Sequence, residues 1–296
     1  MRVTQTALSA GGQILLALSA IAVPAVIIRL GVIPYLESAL ALDADVVSTL
    51  RRIGMIVAFV AGYWTYVRAV EKRPASELSL KPATIALAGL AGGVSIAAPM
   101  GALYVAGAYS VTSLGDHGDL TGIALVIFAA ALLEELVFRG VLFGIIERHF
   151  GMWIALLAPS VLFSALHLFN DHWGGWPDII SGVLLGMMWS LVYLLTRNLW
   201  AAAANHALWN FTIFATGLPL TGQQDWRGSA PMQSDYSGAL MWTGGAAGPE
   251  NSFFVIICIA FIVGTLLWVA EKQRSSRKLP NLGGRSVSRQ ISGSDR

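Results

Sequence analysis

The sequence predicts an all-α fold: a polytopic transmembrane helical bundle of about eight spans with both termini cytoplasmic. Three observations carry that prediction. Apolar residues make up 55% of the 296-residue chain and charged residues only 12%, against roughly 25% charged in soluble domains. The apolar residues gather into long continuous runs. None of these runs shows the strict alternation of a barrel strand. A soluble protein this poor in charge could not cover its own surface. The formal charge of +2 is too small to argue for a nucleic-acid partner, and none is expected. The single cysteine, Cys258, excludes a disulfide framework or a cysteine-ligated cluster.

A bilayer core about 30 Å thick needs about 20 apolar helical residues to cross it. Eight runs qualify, near 12–33, 53–70, 83–107, 121–146, 152–169, 178–196, 199–217 and 252–270. The first is longer than a signal-peptide core and is expected to be retained as a span. Orientation follows from lysine and arginine. Fourteen of the nineteen lie at the termini or in the second, fourth and sixth loops, among them Arg68, Lys72, Arg73, Lys81, Arg148 and Arg197. Only Arg29, Arg51, Arg52 and Arg227 fall on the opposite side, and Arg139 sits within the fourth run. The longest connection, 218–251, is polar and Gly-rich and is expected to form an external lid or ordered cap.

Residues 1–274 thus read as a multipass domain of the cell membrane, with the lipid bilayer as its solvent. Residues 275–296 read as a basic, disordered cytoplasmic tail that anionic lipid heads would attract. The pairs Gly89/Gly93, Gly140/Gly144 and Gly182/Gly186 suit close helix packing. Pro24, Pro99 and Pro159 fall inside spans, where they should kink them. No internal repeat is strong enough to suggest an inverted-repeat transporter.

An ionisable side chain inside a bilayer costs at least ~2.5–3.5 kcal/mol on insertion scales, so each one demands a reason. Glu134 and Glu135 are the two acids deep in a span. Arg139 lies four residues beyond Glu135 on the same helical face, the favourable order for an intrahelical pair. Glu134 is turned about 100° away and is free to face another surface. Two further helices carry Phe163-Ser-Ala-Leu-His167 and His206-Ala-Leu-Trp-Asn210. The other histidines have plainer readings: His117 and His172 in external loops, His149 beside Arg148 at the inner interface. A glutamate with a histidine can hold and deprotonate water and return the proton to a leaving amine. A second histidine and an asparagine can donate to a forming oxyanion. The same groups, Glu134, His167 and His206, could instead hold a divalent metal such as zinc around an activated water. No His-Glu-x-x-His helix and no serine triad with a glycine elbow is present.

Glu134-Glu135-Leu-Val-Phe-Arg139, Phe163-Ser-Ala-Leu-His167 and His206-Ala-Leu-Trp-Asn210, in that order on separate helices, resemble the CPBP family of intramembrane proteases. These are relatives of the type II CAAX prenyl endopeptidases. The resemblance covers about residues 121–215, the protease-like core. It implies an eight-helix bundle with its site in a cavity reachable from the membrane. It also implies that Glu134 and His167 activate water, that His206 and Asn210 stabilise the oxyanion, and that Glu135, Arg139 and Phe163 support them. Family members are often called metalloproteases, although a metal-free glutamate mechanism is the better-supported reading for the CAAX relatives. The substrate would be a membrane-embedded or lipidated peptide or protein, including a prenylated CAAX-type tail. By simple residue count His167 lies nearer the outer end of its span than Glu134 does. Two other functions use the same residues: a proton- or ion-coupled transporter, and a non-proteolytic scaffold or immunity factor. The missing repeat and the Glu135–Arg139 pair, which would hold charge in place, weigh against transport.

Overall fold

A computed structural model describes residues 8–115, 118–170, 172 and 175–278. Arg2, His117 and the tail from residue 279 lie outside the described residues. Eight helical units of 16 residues or more follow one another among them, one on each apolar run. They are α1 (Ala10–Leu40), α2 (Ala44–Ala69), α3 (Pro82–Val105), α4 (Leu120–Phe150), α5 (Met152–His167), α6 (Trp176–Thr196), α7 (Leu199–Ala215) and α8 (Phe253–Lys278). The structure is a helical membrane bundle, and its outward faces carry exposed apolar side chains such as Leu30, Leu87, Leu90, Leu157 and Phe261.

Five helices are long and apolar enough to cross a membrane: α1, α3, α4, α6 and α8. The other three fall short for identifiable reasons. Helix α2 carries Arg51, Arg52 and Arg68 along its length. Helices α5 and α7 have 16 and 17 residues, about 24–26 Å at 1.5 Å per residue; α7 is buried along most of its length, whereas α5 keeps an exposed apolar face at Trp153, Leu157, Val161 and Leu166. Strand β1 (Tyr109–Leu114), which follows α3, pairs antiparallel with β2 (Met232–Tyr236), which follows α7. The third and seventh helices therefore end on one face, as strict up-and-down alternation requires.

Small residues set the two seams that matter for the site. Helix α3 packs along α7, and α5 along α6. Ala201, Ala202 and Ala203 of α7 are fully buried, and Asn205 donates from Nδ2 to the Ala88 carbonyl across the seam at 2.8 Å. The closest approach there is Gly92, not the expected Gly89/Gly93 pair: a Cβ on Gly92 would land on the Asn205 carbonyl, whereas Gly89 and Gly93 make ordinary contacts. On α6 the expected pair holds. A Cβ on Gly186 would sit 2.8 Å from Ser160 Cα, and one on Gly182 would sit 2.7 Å from Ser164 Oγ. Gly140 faces the Tyr63 ring, while Gly144 has room to spare. Asn198 caps α7 through the Ala201 amide at 2.9 Å and donates to the Ser79 carbonyl at 2.7 Å. Gly151, at φ 86°, makes the tight corner between α4 and α5 that a side chain would strain.

Several residues read as simple topogenic charges are bound into a network at the face opposite the strands. Arg73 donates to Glu71 at 2.6 Å and to both oxygens of Glu77 at 2.8 Å. Tyr63 donates to Glu77 at 2.6 Å, Arg148 pairs with Glu71, and Arg197 grips Glu147 with two 2.7 Å bonds. Burial pushes the Glu77 carboxyl up, but Arg73 and Tyr63 outweigh it and hold it below the usual range.

The segment between α7 and α8 is an ordered cap. It contains β2, the one-turn helix Leu240–Thr243 and three turns of 3-10 helix. Tyr104 at the end of α3 donates to Ser234 at 2.8 Å, and Tyr109 donates to the Thr243 carbonyl at 2.8 Å. Arg227 ties the cap together through the carbonyls of Gly217 and Ser234 at 2.7 and 2.9 Å.

Substituting Gly92→Val should overpack the α3–α7 seam, a change that costs about 1–3 kcal/mol in well-packed cores. Thermal unfolding in detergent should show a lowered Tm. Gly101→Ala, where a Cβ meets nothing within 4 Å, should leave Tm unchanged or raise it.

Candidate active site

Helix α4 changes pitch at the site. Its α-helical part ends at Glu135, and Leu136–Phe143 continues as π-helix. Wide π turns recur at functional sites. Glu135 is fully buried, and Arg139 is 1% exposed. Arg139 donates from Nη1 to Glu135 Oε1 at 2.8 Å, from Nη2 to the Gly186 carbonyl at 2.8 Å, and more weakly from Nε to Ser190 Oγ at 3.4 Å. The rings of Phe138, Phe163 and Trp189 surround its guanidinium at 5.5–5.8 Å, a favourable setting for a desolvated cation.

Glu135 has a second partner that sequence spacing did not reveal. Its Oε1 lies 2.9 Å from His206 Nδ1. A carboxylate paired with arginine can only accept, so His206 carries its proton on Nδ1. Its Nε2 then faces Glu134 Oε2 at 3.7 Å. The imidazole stacks on Trp189, with centroids 3.6 Å apart and planes 17° from parallel. His167, the last residue of α5, is fixed by similar logic. Its Nδ1 is 2.8 Å from the Phe163 carbonyl, which only accepts, so the neutral ring keeps Nε2 as its accepting nitrogen. The Phe163 ring lies 4.2 Å from it.

Glu134, His167, His206 and Asn210 line one cavity of about 80 Å³. The depth mismatch expected for His167 disappears because α5 is short and ends inside the bundle, level with the cavity. A second recess of about 220 Å³ shares Glu134, His167 and Asn170 and is bounded by Phe138 and Leu166. Glu134 is about one-third exposed, although its Oε2 is buried without a hydrogen bond among the described residues. Among the described residues no three His, Cys, Asp or Glu side chains are gathered so as to hold a metal. Glu134, His167 and His206 therefore do not form a ligand set as they stand.

The cap supplies groups to the cavity that the motifs do not contain: Thr221, Gln223, Trp226 and Glu250, together with Asn170 beyond α5. Glu250 is 1% exposed. It accepts from Trp209 Nε1 at 2.9 Å and from Thr221 Oγ1 at 3.2 Å, while Asn170 donates to the Thr221 carbonyl at 3.2 Å. Glu250 thus joins the cap to the helix that carries His206 and Asn210, and through Thr221 to the end of the helix that carries His167. Burial raises its carboxyl pKa above the usual range, against the opposing influence of Trp209, Thr221 and the two histidines. In sequence it is one acid in the turn before an apolar helix, with no spacing to single it out.

Comparison with known proteins bears on this arrangement. The family described as type II CAAX prenyl endopeptidase Rce1-like matches residues 117–212, about a third of the chain. That match supports a likeness of this stretch to the CPBP/CAAX protease family. The matched stretch runs from just before α4 to within α7 and holds all three motifs, whereas Glu250 and the cap lie beyond it. No curated protein and no solved structure matches the chain.

Arg139→Ala should leave Glu135 buried without its cation, a change that costs about 3–5 kcal/mol in buried pairs, and Tm in detergent should fall accordingly. Arg139→Lys keeps the charge but cannot make the forked bond, so it should fall in between. Glu250 has a folded-state pKa raised above its ordinary 4.5, so the stability its neutral form supplies is lost as pH rises from that value through the raised one. Glu250→Gln should therefore gain stability over wild type as pH rises. Paired melting curves at acid and neutral pH read the difference.

Proposed function

We propose that the protein is an intramembrane endopeptidase that hydrolyses a peptide bond of a membrane-associated protein or peptide. Water activated by Glu134 and His167 is the nucleophile. The observation that carries this reading is the single cavity shared by Glu134, His167, His206 and Asn210. Neither the family match nor the fold alone would identify the reacting groups.

In this reading His167 holds the water through Nε2, while Nδ1 stays fixed on the Phe163 carbonyl. The Glu134 carboxylate takes the water's proton as the oxygen attacks the scissile carbonyl, then delivers it to the leaving amine. The oxyanion forms against Asn210 and His206. Because Glu135 already holds His206 Nδ1–H, His206 donates from Nε2 when it carries both protons. Glu135 holds that ring at Nδ1 at 2.9 Å, and Arg139 holds Glu135 in place at 2.8 Å. No step passes through a metal, because the donor set does not fit one. All eight helices cross the bilayer in this reading, with both termini cytoplasmic. A membrane-embedded or lipidated substrate, for which a prenylated CAAX-type tail is one form, approaches through the recess bounded by Phe138 and Leu166. A cavity of about 80 Å³ has room for a few waters, so the cap must shift to admit a peptide.

Glu134→Gln and His167→Ala should each abolish cleavage while leaving the protein folded and inserted. Asn210→Ala should lower kcat by about 10²–10³-fold, the usual cost of an oxyanion donor. Mass spectrometry of membrane peptides from cells with wild-type and Glu134→Gln protein measures the first effect. Full activity in either purified variant would overturn the assignment. Cleavage is expected to survive dialysis against a chelator.

A further inference from the structure

A separate cavity, of about 490 Å³ against about 80 Å³ for the candidate active site, lies where α6, α8 and the cap meet, and the two share no lining residue. Its wall is mostly apolar: Trp176 and Pro177 at the start of α6, Leu240 and Met241 on the one-turn cap helix, and Phe253 and Ile256 at the start of α8. A mainly apolar cavity of roughly 300–1,000 Å³ with a few placed polar groups is the usual form of a small-molecule site. This one also adjoins the segments that close over the active site. Ala247 in its wall accepts from the Gly222 amide at 2.8 Å, and Asn251 follows directly on Glu250.

The depth of the cavity selects a lipid. Helices α6 and α8 are both long and apolar enough to cross a membrane, so their first residues, Trp176 and Phe253, stand at the level where the bilayer begins. Beside them Leu240, Met241 and Trp242 all expose large apolar side chains. Tryptophan and apolar groups at the end of a span belong in the interfacial layer, where headgroups give way to acyl chains.

One polar group in the wall is unanswered. Asn251 is 5% exposed. Its Oδ1 accepts from Ser181 Oγ at 2.6 Å, whereas its Nδ2 has no hydrogen-bond partner among the described residues. A buried donor without an acceptor is costly, and an oxygen entering the cavity relieves that cost. Charge narrows the choice of oxygen. The wall holds no lysine or arginine; its titratable residues are exposed His172 and buried Asp178, which accepts from the Gly175 amide at 2.6 Å. A carboxylate or phosphate would meet that acid, whereas an uncharged ester carbonyl needs only the amide donor. A bare isoprenoid chain has no such oxygen. We propose that the cavity binds one phospholipid of the surrounding bilayer, with an acyl chain against the apolar wall and an ester carbonyl on Asn251 Nδ2, and that this lipid steadies the cap.

The test uses the full chain, delipidated in detergent, and phosphatidylcholine carrying a photoreactive diazirine within one acyl chain. Peptide mass spectrometry should find the crosslinks at Trp176, Met241, Phe253 or Ile256. Ala246→Phe, which adds bulk to the wall, should lose most of that labelling. Native mass spectrometry then compares ester-linked with ether-linked phosphatidylcholine of the same chains. Wild type should hold the ester about fivefold more tightly, the worth of one hydrogen bond. Asn251→Asp, which keeps the side chain's size and loses its donor, should hold the two equally. Ester-linked lipid should also raise the Tm of wild type. Labelling confined to the outward faces of the helices, or equal binding of both lipids by wild type, overturns the proposal. So does displacement of the photoreactive lipid by a palmitoylated peptide or free palmitate at lower concentration than by unlabelled phosphatidylcholine; the cavity would then belong to a substrate's anchor or to a fatty acid. None of these readouts uses cleavage, so they stand or fall apart from the hydrolytic reading.

Discussion

A guanidinium removed from both water and lipid headgroups must satisfy its donors inside the protein, and Arg139 does so by joining two helices. One arm holds Glu135 on its own helix; the other reaches the Gly186 carbonyl on α6. That carbonyl is within reach only because Gly186 lets α6 settle against Ser160 of α5. Glu135, held by that arginine, then fixes the ring of His206 from a third helix. The pair need not add net stability, since desolvation offsets much of its attraction. Its structural effect is to make the positions of α4, α6 and α7 depend on one another.

The remaining geometry of the candidate site rests on shortness and smallness. Helix α5 has 16 residues and so delivers His167 into the interior instead of to the surface. Helix α7 lies against α3 through alanines and Gly92, which places His206 and Asn210 one turn apart on the cavity wall. Aromatic rings fill the space around these groups, and the Trp189 face against His206 leaves that imidazole little freedom to turn.

Most of the fold was legible because hydropathy runs report helices directly: every expected run carries one. Span length was less legible, because apolar content does not say whether a helix faces lipid or stands among its neighbours, as α7 does. The Glu135–Arg139 contact was readable from four-residue spacing, whereas the bond to His206 was not, since nothing local in sequence relates residues 71 positions apart. The π-helical stretch has no compositional sign. Glu250 was missed for the same reason as Glu71 and Glu77: an acid outside an apolar run looks solvated until the tertiary structure buries it. Arg73, Arg148 and Arg197 count toward orientation and also hold the bundle's end together, a double use that composition cannot separate.

The size of the cavity bears on the order of events in a catalytic cycle. Hydrolysis consumes one water per bond, and an enclosure of about 80 Å³ stores only a handful. Solvent is then a stoichiometric reagent drawn from a small reservoir. Because the neighbouring recess of about 220 Å³ shares Glu134 and His167, a water consumed in the proposed reaction can be replaced from that side without disturbing the helices that hold the site.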